Sequence, residues 1–467
     1  MLSIHGNGVR LCDGLTRREM LRVGGLGAFG LSLPELLRSH SVHAASSAPG
    51  KKAKAKSCIV LFLLGGPPQH STWDPKPNAP PEIRGEFKPI ATNVTGLQIG
   101  ELMPRTAKVA DKIAVLRALQ SNDNAHSSSG YFMMTGRPHA PMNVENANPG
   151  PPNDYPTLGG IVRRLENRTG GIPAAVTLPH RIFNTDGSVW PGQDAGFLGR
   201  SADPWLFNCK PGTPDFRIDE LNLPGDVAEN RLENRKSLLE QVNQHLDGVE
   251  RTGKLNQYSK QTHQAFDLLR SAQSRNAFRL DQEPAATRDR YGRSHFGQSV
   301  LLGRRLIESG VKLVQVNWYR GPDEPSDAPC WDSHTKEAHR LKTALLPPFD
   351  QAYSALLEDL VQRGMLDDTL VVVMAEFGRS PRINAAGGRD HWGYVYSAAL
   401  AGGGVRGGQV YGASDKQGGH PKDGKVQPHD LTATIFHCLG YDPDAEIRDS
   451  LGRPLPISRG EIIRQIL

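Results

Sequence analysis

The sequence predicts an α/β protein: a doubly wound, mostly parallel sheet flanked by helices, with loop-rich cap insertions. Three observations predict it. Unalternated runs of β-branched and aliphatic residues recur along the chain, as strands buried on both faces require. Between two of these runs lies a stretch with apolar residues at helical spacing, which makes a strand–helix–strand unit. The 50 glycines and 35 prolines among 467 residues supply the turns of long ordered loops. No internal period points to a repeat array.

Taken in order, the chain opens on Leu15-Thr16-Arg17-Arg18-Glu19-Met20-Leu21, followed by the glycine-diluted apolar run 22–33. A paired arginine before a short, weakly apolar run is the pattern of a twin-arginine export signal, too short to stay as a membrane anchor. Val42-His43-Ala44 offers a small-residue cleavage site, so residues 1–44 read as the signal and 45–56 as a basic linker. Export of folded cargo to the periplasm or cell surface of a bacterium is the expected destination. No later segment has membrane length, so no transmembrane helix is expected in the mature chain.

The formal charge is +6. Residues 1–56 hold nine basic groups against three acids, which is the whole excess, and residues 57–467 are formally neutral. A nucleic-acid groove is therefore not expected. Cys58, Cys209, Cys330 and Cys438 are widely spaced without a Cys-x-x-Cys, so a zinc ribbon is excluded; buried thiols are favoured over disulfides.

Cys58–Leu64 reads as the first buried strand, closed by Gly65-Gly66-Pro67-Pro68. Residues 138–225 are rich in Pro, Asn and Gly around short strands such as Ala174–Leu178, and 227–277 reads as a polar helical hairpin outside the sheet. Val311–Val316, Leu370–Met374 and Ser397–Leu400 are further strands of the same kind. Leu345–Gly364 is the helix between the first two, with Phe349, Leu356, Leu357 and Leu360 on its apolar face. One domain, 57–467, follows, in which 138–277 forms a cap over the C-terminal strand ends, where ligands of such sheets bind.

Metal-type side chains fall at those ends. They are His70 and Asp74 after the first strand, Asp332 and His334 after the Val311–Val316 strand, Glu376 after Leu370–Met374, and Asp390 and His391 before the next strand. Carboxylates and imidazoles converging on one sheet edge suit a divalent metal: zinc, manganese or calcium. Each also has an ordinary surface or core role open to it. The polar cluster Asn122–Gly130 contains His126 and Ser127 at an expected helix start, where a hydroxyl serves either as a nucleophile or as a helix cap. Arg379 and Arg389 are either clamps for a phosphate or sulfate oxygen or exposed surface groups.

Together these runs resemble the alkaline phosphatase and sulfatase superfamily, and more closely an exported branch of it called domain of unknown function 1501. The resemblance covers most of the chain from residue 57. It rests on Gly65-Gly66-Pro67 with Asp74-Pro75-Lys76-Pro77, Trp331-Asp332-Ser333-His334, Glu376-Phe377-Gly378-Arg379-Ser380-Pro381, Gly388-Arg389-Asp390-His391-Trp392 and Asp430–Ile435. It implies an alkaline-phosphatase/sulfatase-like fold with Asp332 and His334 as metal ligands and Asp350 as the acid of the following helix. Glu376 and Phe377 stand where the superfamily has Asp-His, and His391 is the imidazole available instead. The nucleophile position falls on His126 and Ser127, and His126 occupies the place of the sulfatase cysteine.

Two functions are carried forward. One is a metal-dependent hydrolase of phosphate or sulfate esters, with Ser127, His126 and Arg379 as catalytic groups and His70, Asp74, Asp332, His334, Glu376, Asp390 and His391 around the metal. The other is a non-catalytic exported protein that binds anionic glycans or a surface partner. A phosphate-transfer enzyme on the same site is a third reading. An anionic ester or glycan is the expected partner in each.

Overall fold

The computed structural model describes residues 54–166, 168, 172–184, 186–214, 216, 272–318 and 330–467. The export signal and its cleavage site lie outside the described residues. So does the expected helical hairpin at 227–277, except for the short helix Ala272–Ala277.

The sheet has eight strands. In chain order the strands are β1 (Ser57–Phe62), β2 (Ile113–Leu119), β3 (Ala175–Leu178), β4 (Trp205–Leu206), β5 (Leu313–Asn317) and β6 (Thr369–Met374). A small ribbon of β7 (Gly378–Arg379) and β8 (His391–Trp392) precedes β9 (Tyr396–Ala401) and β10 (Gln409–Tyr411). Across the sheet the order is β10-β2-β9-β6-β1-β5-β3-β4. β1 sits centrally between β5 and β6, parallel to both, and every one of its residues is buried. That is why its sequence shows no alternation: there is no solvent face to make polar. Burying each such Val, Ile, Leu or Phe contributes roughly 1.5–3 kcal/mol.

The helices are α1 (His126–Thr135), α2 (Leu158–Glu166), α3 (His295–Glu308), α4 (Leu346–Gln362) and α5 (Pro428–Cys438). α3 packs on α4, β5 and β1, while α1 packs on α5. α4 lies within the helix expected at 345–364, and its Asp350 accepts the backbone N–H groups of Arg105 and Thr106 at 2.9 and 2.7 Å. Asp350 therefore ties a loop to the helix and is not a site acid. Cys58 and Cys438 are buried thiols. Among the described residues no helix is long and apolar enough to cross a membrane.

Two expectations are corrected. β9, expected to run parallel with the rest, is antiparallel to both β2 and β6. The segment between β6 and β9 folds into the β7–β8 ribbon without a crossover helix, so the chain re-enters the sheet in the opposite sense. The strand at 174–178, assigned to the cap, is instead a strand of the main sheet beside β5.

The turn after β1 sets the site. Gly65 and Gly66 hold φ of +107° and +77°, and a Cβ on Gly65 would lie 2.2 Å from the Asp332 backbone nitrogen. Only glycine permits that approach. Gly65→Ala is expected to lower the unfolding free energy by about 2–4 kcal/mol, read by urea denaturation. A variant of unchanged stability would show that the Asp332 segment does not depend on this contact.

Candidate functional site

Each site residue is delivered by a strand end or the turn after it. β2 ends at Leu119, and residues 120–125 lead straight into α1, whose first residue is His126. Glu376 follows β6 by two residues. The ribbon sets His391 opposite Arg379, and Asp332 lies against the Gly65 turn.

Asp332 is the hub. Its Oδ1 accepts from Arg379 Nη2 at 2.7 Å and lies 3.0 Å from His334 Nε2 and 3.1 Å from His391 Nε2. Its Oδ2 lies 3.2 Å from His126 Nε2. The Nε2 atoms of His334 and His391 are 2.9 Å apart. His126 turns its Nδ1 onto Glu376 Oε1 at 2.7 Å, which also accepts the Gly65 N–H at 2.8 Å. His391 turns its Nδ1 onto the Asn124 carbonyl at 2.7 Å, and His334 Nδ1 faces Asp390 Oδ1 at 3.1 Å. Phe377 stacks on His391 at 4.4 Å and lies 4.9 Å from His126, walling both rings with an apolar surface.

Protons can be placed from these contacts. A carbonyl or a carboxylate only accepts, so Nδ1 of His391 and of His126 each carry hydrogen. Burial holds the His391 pKa down to about 4, so its ring is neutral and its Nε2 bears a lone pair facing Asp332 Oδ1. Burial works against a charge on His126, but Asp332 and then Glu376 outweigh it and raise that pKa to about 9. Burial alone would raise Asp332, yet the charge of His126 and the imidazoles gathered around it hold it far below the usual carboxylate range. The hydrogen bond to Asp332 also raises His334. The cluster thus draws positive charge towards itself.

A divalent cation fits this donor set. His126, Asp332 and His391 each offer a ligand atom, all within 4.8 Å of one another. His126 Nε2 and Glu376 Oε2 are buried without a hydrogen-bond partner; the 3.2 Å contact of His126 with Asp332 lacks hydrogen-bond alignment. Glu376 and the Asn124 carbonyl occupy the outer positions that orient metal-ligating imidazoles.

The structure thus brings together His126, Asp332, His334, Glu376, Asp390, His391 and Arg379. It does not bring Ser127, His70 or Asp74 to them. The buried Ser127 hydroxyl donates to Val144 O at 3.0 Å and accepts from Ala147 N at 2.9 Å. His70 Nε2 meets the Gln417 carbonyl at 2.7 Å, and burial lowers its pKa to about 3. Asp74 pairs with Lys76 at 2.9 Å and also accepts from Ser414. Arg379 and Arg389 are buried, which corrects both expectations for them. Arg379 holds the carbonyls of Gly65, Gly66 and Arg389 as well as Asp332, and Arg389 holds Glu337 at 3.0 Å.

Glu145 was not foreseen. Its Oε1 accepts the backbone N–H of His126 at 2.8 Å and lies 3.6 Å from His391 Nδ1. An acid flanked by asparagines, the residue type most tolerant of left-handed backbone, was the available signal; Asn143 and Asn146 have φ of 58° and 54°.

The sign of the pH dependence follows from His126. Its folded pKa exceeds the unfolded 6.5, so its stabilisation of the metal-free chain is full below pH 6.5 and is lost as pH rises through about 9. A divalent ion must displace that proton. Zinc affinity is expected to rise with pH over the same window, with about one proton released per ion near pH 7.5. Calorimetry in buffers of different ionisation enthalpy reads this directly; zero release would remove His126 from the ligand set. Glu376→Gln, which keeps the shape but loses the charge behind His126, is expected to weaken zinc binding about 10–100-fold.

No curated protein matches the chain. Among solved structures it is similar to the PsFucS1 sulfatase from Pseudoalteromonas sp., at 13% identity over 86% of this chain and 72% of that one, TM-score 0.38. It is similar also to a protein in the alkaline phosphatase superfamily from Vibrio parahaemolyticus, at 10% identity over 84% and 68%, TM-score 0.35. A third is the lipoteichoic acid synthase LtaP from Listeria monocytogenes, at 11% identity over 86% and 78%, TM-score 0.34. Matched by its family model across residues 55–467, the chain belongs to the family described as Protein of unknown function (DUF1501).

Proposed function

We propose that this protein is an exported, metal-dependent hydrolase of phosphate or sulfate esters, with a divalent ion held by His126, Asp332 and His391. The observation that carries the reading is that His126 and His391 both turn Nδ1 onto an acceptor and Nε2 onto an Asp332 oxygen, at 3.2 and 3.1 Å. Two imidazoles and one carboxylate favour zinc over calcium, with manganese between them. Such an ion supplies a Lewis acid that polarises an ester oxygen and lowers the pKa of water.

The chain's own residues do the rest. Glu376 and the Asn124 carbonyl fix the two rings by accepting hydrogen bonds from their Nδ1–H groups, and Arg379 holds Asp332 in place. Phe377 keeps water from the inner side of the rings. His334 stands on the open side with Asp390 at its outer nitrogen, and it is the group that hands a proton to the departing alcohol. Water is the nucleophile in this reading, and Ser127 anchors the 143–147 loop. The loops from 138 onward form the cap, and the paired arginines at 17 and 18 direct export.

One observation favours the non-catalytic alternative, a binder of anionic glycans or a surface partner. The hydroxyls of Ser127, Ser128 and Ser129 are all engaged, by Val144 and Ala147, by Asp123 and by the Glu376 carbonyl. No serine is left as a nucleophile among them.

Metal content of the purified mature protein, followed by assays on p-nitrophenyl phosphate, p-nitrophenyl sulfate and bis(p-nitrophenyl) phosphate, separates the two. The hydrolase reading expects about one divalent ion per chain, and turnover lost at least 100-fold in Asp332→Ala but kept within tenfold in Ser127→Ala. Bound metal with no turnover of any ester supports the binding protein. A chain that takes up no zinc, manganese or calcium overturns the hydrolase.

A further inference from the structure

We infer that Glu145 sets the charge of the ligand this site accepts, turning away dianionic tetrahedral groups and admitting monoanionic ones such as sulfate monoesters and phosphodiesters. The inference deepens the proposed function and rests on the same site. Its starting point is where the Glu145 carboxylate stands. It takes the first N–H of α1, a helix of ten residues, at 2.8 Å. That amide is the one an incoming anion oxygen would otherwise use.

The carboxylate is held there and does not merely drift across a surface. Asn143 and Asn146 bracket it in left-handed backbone, at φ of 58° and 54°. Asn143 Oδ1 accepts the Asn124 N–H at 2.8 Å. Val144 O accepts from Ser127, Val144 N donates to Ser128 Oγ at 3.0 Å, and Ala147 N donates to Ser127 Oγ. Three consecutive residues of α1 and the turn before it therefore pin the segment 143–147 over the helix start. Strained backbone maintained by this many bonds marks a position with a task. The Glu145 side chain is 46% exposed, and its Oε1 lies 3.6 Å from His391 Nδ1.

His126 Nε2 and Glu376 Oε2 are buried with no hydrogen-bond partner, and His126 Nε2 faces Asp332 Oδ2 at 3.2 Å, so the residue whose amide Glu145 holds is itself part of the site. The charges around that point are unequal. The carboxylates of Glu145, Asp332, Glu376 and Asp390 face one guanidinium, Arg379, and the imidazoles of His126, His334 and His391. With a divalent ion, the four carboxylates against one guanidinium leave about one negative charge in excess before any imidazole is charged, so a second negative charge on the ligand is repelled more strongly than a first, and Glu145 is part of that excess.

Methyl sulfate and methyl phosphate test this, being nearly identical in shape. At about pH 8.5 the first carries one negative charge and the second two, since a phosphate monoester has its second pKa near 6. Binding of each is measured by calorimetry on the protein as purified and again after zinc loading. Wild type is expected to bind methyl sulfate about tenfold tighter than methyl phosphate. Glu145→Gln is expected to gain about tenfold for methyl phosphate and much less for methyl sulfate. Glu145→Asp keeps the charge and keeps the wild-type preference, which guards against a misfolded glutamine variant. A preference unchanged in Glu145→Gln, a wild type that favours the dianion, or no binding of either ligand overturns the inference. Zinc stoichiometry on the same samples separates its failure from that of the hydrolase reading: zinc bound with an unchanged preference sinks this inference alone.

Discussion

A single half-buried carboxylate that gathers three imidazoles and a guanidinium within 3.2 Å is the constraint on which the rest of this site depends. An isolated carboxylate at that depth would be costly, and so would the positive groups without it. The fold answers by drawing His126 from the start of α1, Arg379 and His391 from the β7–β8 ribbon and His334 from the segment of Asp332 itself, so none can move without unbalancing the others. The two glycines after β1 make the arrangement sterically possible, because only a residue without Cβ lets the Asp332 backbone come so near. Breaking one partner would leave the others buried and uncompensated, which is the costly side of a buried network. Such a network accounts for a rigid site on the edge of a sheet whose loops are otherwise irregular.

The two buried arginines extend the same logic outwards. Arg379 and Arg389 carry charges into a dry region, and nearly every donor they have meets a backbone carbonyl or a carboxylate. Their task is to fold the 378–392 segment back on itself, which sets His391 at the correct height beside His126. A guanidinium can serve this way because its planar fork satisfies several carbonyls at once. An arginine near a metal cluster in sequence therefore need not face the ligand, and here neither does.

Much of this was legible in the sequence, for a physical reason. Strands β1, β5 and β6 are buried on both faces, so their composition alone marks them, and the acids and imidazoles just beyond their ends follow from counting. Asp332, Glu376 and His391 are found this way, whereas His126 comes from the polar cluster 122–130 and the family resemblance. β2 escaped because Arg117 interrupts its apolar run, although that side chain only reaches out to the carbonyls of Trp73 and Gln98. β9 was recognised as a strand but given the wrong direction, since direction is decided by the connection and not by the strand's residues. His70 and Asp74 share the composition of the true cluster and follow the first strand, yet the chain turns away before it reaches them. Distance along a chain after a strand end does not say which way a loop bends.

Ser127 and Glu145 show the limit most clearly, because each was misjudged through the other. A hydroxyl at the start of a helix beside an imidazole has the composition of a nucleophile, and nothing in the local sequence distinguishes that from an anchor. The distinction lies sixteen to twenty residues away, where a loop bearing two left-handed asparagines supplies a carbonyl and an amide that take both sides of the hydroxyl. Once those bonds form, the oxygen is buried and has neither a free lone pair directed at the site nor room to turn. The same bonds set Glu145 over the helix start. One set of contacts thus removes a nucleophile from the site and installs a carboxylate at its mouth, and the site's chemistry passes from the serines to the imidazoles and the charges around them.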